Sequence, residues 1–196
     1  MNQEAAPRPR RADARRNVDA LLDAARTVFS TSGVDAPAKE ITDLAGVGVG
    51  TLYRHFPQRA DLIKAVVESG IDAVAQAGST LLATHPPAEA LVAWTERLQH
   101  LLATKRGLAS ALHSRDPAFE GLPGYFLQRL GPALTALLEA GIADGTIRDD
   151  VGAEDLLHAL TQLCQPVPGR TFEQGRRVVL VLLDGLRIAG RTPSQE

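Results

Sequence analysis

The sequence predicts an all-α protein: a small three-helix unit with a helix-turn-helix near the N-terminus, then a larger helical unit. Three observations carry this. Apolar residues recur at intervals of three and four in nearly every segment between Gly/Pro breaks. No alternating apolar–polar run bounded by hairpin turns is found. Ala and Leu dominate the composition, and both favour helix. A chain of 196 residues can bury one or two cores of this kind.

Composition narrows the setting. Cys164 is the single cysteine, so an internal disulfide is impossible and a reducing compartment fits. The first sixteen residues are rich in Pro and Arg and carry no apolar run of a secretory signal. The longest aliphatic run, Val178 to Leu183, is far too short to span a bilayer. The expectation is a cytoplasmic protein without a membrane partner. Net charge is -2, but it is unevenly spread. Residues 1–64 hold ten Lys and Arg against eight Asp and Glu, a balance of +2; the rest hold eleven against fifteen, a balance of -4.

Taken in order, residues 1–12 read as a disordered basic arm, because Pro7 and Pro9 interrupt helix and the arginines lack apolar partners. Arg10 and Arg11 are either solvated or in contact with phosphates. A first helix is expected over 13–32, where Val18, Leu21, Leu22, Ala25, Val28 and Phe29 share a face and Gly33 ends it. Asp35 before Ala36-Pro37 suits an N-cap.

The next helix then shows Ile41, Leu44 and Ala45 on one side, with Gly46 placed for a left-handed cap. Val47 fits the angle of a turn, and a short second helix over about 48–55 puts Leu52 and Phe56 on its core side. Gly50, Thr51, Tyr53 and Arg54 remain outside, a small, hydroxyl and cationic face suited to a DNA major groove. The glycines at 46, 48 and 50 do not make a dinucleotide loop. Thr51 stands where its third glycine belongs, and helix rather than strand precedes it.

At Ala45-Gly46-Val47, Gly50-Thr51-Leu52-Tyr53, His55-Phe56, Arg59 and Leu62-Ile63 the chain resembles the TetR family of transcriptional regulators. The resemblance covers residues 15–67 and departs from the family's pattern at three positions. Pro37 and Gly48 stand where hydroxyl residues usually contact phosphate or cap a helix, and Thr42 stands where Ala is usual. The resemblance implies that Thr51, Tyr53 and His55 touch DNA, mostly at phosphates, and that Arg59 reaches a phosphate. All four side chains carry donors fit for phosphate oxygens. Arg54 is a candidate for reading guanine or, equally, a phosphate clamp; Gly48, Val49 and Gly50 permit close approach, and Val49 could meet a thymine methyl.

Beyond Pro57 a long helix is expected over 58–82, its glycines 70 and 78 serving close packing or a hinge. Further helices are expected over about 88–104, 105–114, 121–141, 153–165 and 172–189, with a kink or split at Gly131-Pro132. The expected division is therefore arm 1–12, helix-turn-helix domain 13–64 and regulatory and dimerisation domain 65–196.

The last helix is apolar nearly all round, which asks for burial on two sides. Leu156, Leu160, Leu163, Val178, Val181 and Leu182 are the candidates for a homodimer interface, as the resemblance also implies; burial within one chain is the alternative. For the small-molecule sensor that the resemblance implies, the candidates are Trp94, Leu98, His113, Phe119, Tyr125, Phe126 and His158, any of which could instead be core. Nothing points to an enzyme. The five histidines include no i, i+4 pair for a metal, Cys164 lies on an apolar face, and no GxSxG or P-loop occurs. No catalytic set, metal or cofactor is expected. The reading is a ligand-responsive homodimeric repressor binding double-stranded operator DNA. Its rival is a helical sensor or scaffold dimer that no longer reads DNA.

Overall fold

The computed structural model describes residues 8–104, 108–112, 114, 116–165, 169 and 171–188. Its helices are α1 (Arg8–Thr31), α2 (Ala38–Ala45), α3 (Val49–His55), α4 (Arg59–Leu82), α5 (Pro87–Thr104), α6 (Ala109–Leu112), α7 (Leu122–Ala143), α8 (Ala153–Leu163) and α9 (Phe172–Leu186), with a 3-10 turn at Pro117–Phe119. The fold is all-α. Among the described residues the only extended pairing is an isolated bridge between Ile147 and Arg187. No described helix is long and apolar enough to cross a membrane.

The helices form two compact units. The first runs through Ser69 and takes in the described residues between 108 and 120; the second holds the remaining described residues. The first unit extends past the expected boundary at 64 because the buried stripe of Leu62 and Ile63 continues into Val66 and Val67. In it α1 starts at Arg8, earlier than expected. Pro9 lies in the first turn, where a missing N–H costs nothing. Residues 1–7 of the expected arm, and the side chains of Arg10 and Arg11, lie outside the described residues. Leu21, Ala24, Ala25, Val28 and Phe29 form the buried face of α1, and Gly33 leaves the helix at φ 82°.

In the second unit Trp94 on α5 is fully buried, and its indole N–H donates to the Val74 carbonyl of α4 at 2.9 Å. Leu98, Leu130, Leu134 and Leu137 share this complete burial. Gly70 is a packing position: a Cβ there would lie 2.7 Å from Leu101 Cδ1. The helix α7 passes through Pro132 without dividing.

After α7 the chain turns back sharply. Ile147 fills the space beside Gly141, where an added Cβ would stand 2.3 Å from Ile147 Cδ1 and 3.1 Å from its Cβ. The approach to the branched Cβ cannot be relieved by rotating the side-chain end alone. Gly141→Ala is therefore expected to destabilise the second unit by about 1–3 kcal/mol, the cost of overpacking. Denaturant titration checks this, and an unchanged midpoint would contradict it. The same turn is tied to the end of α9 by bonds from Arg148 N to Leu186 O and from Ile188 N to Thr146 O.

Two expectations about the last helices change here. Leu156 and Leu160 are 1 % and 0 % exposed within the single chain. They have no area left to bury against a second subunit, so they belong to the core. On α9 the inward stripe is Val179, Leu183 and Leu186, whose spacings of four and three define one face. Val178 and Val181 lie on the outward side, Val181 at 72 % exposure, while Leu163 and Leu182 are half-buried. Thr171 and Gln174 start α9 with a capping box, each side chain bonding the other's backbone N–H.

Candidate nucleic-acid interface

Two short helices and a three-residue turn build the site. Gly46 closes α2 at φ 68° and ψ 29°, and its N–H bonds the Asp43 carbonyl while Val47 N–H bonds that of Thr42. A left-handed residue here disfavours side chains other than Gly for conformational reasons alone, since a Cβ would meet nothing within 4 Å. Gly48 is the extended N-cap of α3, and its carbonyl accepts from Thr51 N–H at 2.8 Å.

Neither α2 nor α3 has a side-chain cap. The N-cap of α2 is Pro37 and not Asp35, because α2 begins only at Ala38. With Pro37 and Gly48 as N-caps, both helix starts lack a side-chain oxygen acceptor.

Burial sorts α3 into two faces. Leu52 is 3 % exposed and Phe56, just past the helix, 8 %. These anchors fix the roll of the helix and turn Val49, Gly50, Tyr53 and Arg54 outward, with Tyr53 52 % exposed and Val49 39 %. Thr51 and His55 are half-buried, and the His55 ring lies 6.4 Å from that of Phe56. The outward set offers a phenol, a guanidinium, a methyl pair and bare backbone.

On α2 the inward residues are Ile41 and Thr42. Leu44, expected on the core side, is 57 % exposed. Thr42 replaces it inside because its hydroxyl donates to the Lys39 carbonyl at 3.1 Å, so its burial leaves no polar group unpaired.

Arg59 is held within the first unit. Its Nε and Nη2 donate to the Val34 carbonyl at 2.8 and 2.5 Å, and Nη2 also to that of Ala36 at 2.6 Å. Burial lowers its pKa, and electrostatic attraction to the Asp35 carboxylate, then to the nearby Tyr53 side chain, opposes that.

The expected sensor residues that are described fall in both units. Trp94, Leu98 and Phe126 are buried in the second unit. Tyr125 there donates its hydroxyl to Asp72 at 2.8 Å, and Arg129 Nε donates to the same oxygen at 2.6 Å. Phe119 belongs to the first unit, where it lines a cleft of about 320 Å³ beside Arg59, Ile63 and Asp116. His158 is exposed on α8. His113 lies outside the described residues.

Residues 21–66 match the family described as bacterial regulatory proteins, tetR family. Residues 86–188, over half of the chain, match the SbtR-like transcriptional regulator C-terminal domain. The chain belongs to the TetR family.

Solved TetR-family structures agree along nearly the whole length. The TetR regulator SCO0520 of Streptomyces coelicolor is 37 % identical, with a TM-score of 0.75 over 88 % of this chain and 99 % of its own. A TetR regulatory protein of Mycobacterium vanbaalenii is 35 % identical, with a TM-score of 0.72 over 92 % and 100 %. The repressor KstR2 of Rhodococcus jostii is 25 % identical over 68 % of this chain and 69 % of its own. This TetR-family chain is a transcriptional regulator with a DNA-binding helix-turn-helix, and not an enzyme. The outward role of α3 was legible from Leu52 and Phe56; the inward bonds of Arg59 had no signal in the spacing.

Proposed function

We propose that a homodimer of this chain represses transcription by binding a pseudo-palindromic operator and releases it when a small, largely apolar effector binds. The observation that carries the DNA-reading part is the outward face of α3, Val49, Gly50, Tyr53 and Arg54, held there by buried Leu52 and Phe56. In this reading Arg54 addresses a base edge. Thr51, Tyr53 and His55 address phosphates, with Arg10 and Arg11 as further phosphate contacts. Residues 13–64 read DNA, and residues 65–196 dimerise and sense.

The outward apolar side of α9, Val178 and Val181 with Leu182 partly exposed, and the partly exposed Leu163 that ends α8 support the homodimer: paired copies would remove them from water. The repressor name of the Rhodococcus relative supports the sign of regulation. Release works by linkage. An effector that binds best when the two reading units are wrongly spaced for the half-sites weakens DNA binding by the same factor that DNA weakens it. The continuous helix α4, whose residues belong to both units, is the proposed lever.

Arg54→Ala tests the base-reading role. Discrimination at one position in each half-site should fall roughly ten- to hundredfold, with affinity for random duplex falling less. Competition binding on a panel of single-base operator variants reads this. A uniform loss across all sequences would make Arg54 a phosphate contact instead.

A further inference from the structure

The entry into α2 lacks the usual means of fixing a helix start. Pro37 has no N–H, and no side chain caps the helix. Arg59 occupies that junction from α4. Its planar fork takes the carbonyls of Val34 and Ala36, two of the backbone acceptors just ahead of Pro37. The same guanidinium carbon stands 4.9 Å from the centroid of the Phe29 ring, which is 2 % exposed on α1. One side chain thus joins α1, the α1–α2 turn and α4. Because α2 continues into α3 through a three-residue turn closed by bonds from Gly46 and Val47 N–H to the Asp43 and Thr42 carbonyls, whatever fixes the start of α2 also bears on the pose of α3.

We infer that Arg59 is a positioning residue for operator recognition: its guanidinium sets the entry of α2, and through it the pose of α3, and its charge is spent inside the protein and not on a phosphate. The inference rests on the reading that α3 contacts DNA.

A lysine can satisfy a phosphate but cannot bridge two carbonyls while lying flat on a ring. Arg59→Lys and Arg59→Gln of the full chain therefore separate the roles. Binding is measured against salt, well below the unfolding temperature, on the inverted-repeat duplex recovered from a random pool and on random duplex. Amide hydrogen exchange is followed over 38–45.

Both variants should lose about tenfold in affinity for the inverted repeat, as expected for lost charged hydrogen bonds. Their affinity for random duplex and their salt slope should stay at the wild-type values, and α2 amides should exchange faster. Wild-type affinity in Arg59→Lys, with a salt slope shallower by about 0.9 in Arg59→Gln, would overturn the inference in favour of a phosphate contact. Wild-type specific affinity in both, with only a lower unfolding temperature, would overturn it in favour of stability alone. A wild-type chain that prefers no duplex would overturn the DNA reading itself and the positioning role with it; amide exchange would then still report whether the bonds at Val34 and Ala36 hold α2.

Discussion

Val181→Asp is expected to convert the proposed dimer into a folded monomer and to remove tight binding to the proposed operator. Val181 is 72 % exposed in the single chain, so a carboxylate there meets water and leaves the fold intact. Val178, three residues earlier on the same side of α9, is 42 % exposed. In a symmetric pair each introduced carboxylate would be pressed into an apolar surface close to its symmetry mate.

An uncompensated charge buried at such an interface costs enough to weaken association by about two to three orders of magnitude. Operator affinity falls with it, since a monomer holds one half-site and loses the second as a linked contact. Sedimentation velocity and a gel shift on the same preparation read both effects. A Val181→Asp protein that remains dimeric at low micromolar concentration would place the interface elsewhere.

Trp94→Ala is expected to cost the second unit about 3–5 kcal/mol. The side chain is completely buried, and its removal leaves both a cavity and a Val74 carbonyl without its indole donor. Against a total stability of about 5–15 kcal/mol for a native domain, that loss leaves the unit marginal. Trp94→Phe keeps most of the ring volume and should lose markedly less. Circular dichroism on heating follows both variants. A Trp94→Ala protein that melts with the wild type would mean that α4 and α5 close over the gap. Trp94 is the chain's single tryptophan, so wild-type fluorescence reports on this core directly.

How much of this was readable from residues alone depended on whether polarity decided the question. On α3 it did: Leu52 and Phe56 are the large apolar side chains at helical spacing, and both are buried. On α2 it did not. The helix has eight residues, and a threonine that bonds the carbonyl three residues back enters a core as readily as a leucine, so Thr42 and Leu44 exchange their expected places. On α9 two apolar stripes compete, and hydrophobicity cannot rank them. Ile147 and the turn after α7 bring the C-terminal end of the helix into register and leave Val178 and Val181 outside. Arg59 carries a charge that suits a phosphate, and only the position of the Val34 and Ala36 carbonyls shows where its donors go. His158 shows the same limit for a pocket: an imidazole on a helix gives no sign of which way the helix is rolled.

The most direct test is selection of bound sequences from random duplex DNA by the purified full chain, at two salt concentrations. An enriched inverted repeat is expected, its half-sites related by the two-fold symmetry of the proposed dimer, with enrichment persisting at the higher salt. Folded, dimeric protein that enriches no sequence would contradict the DNA-reading role.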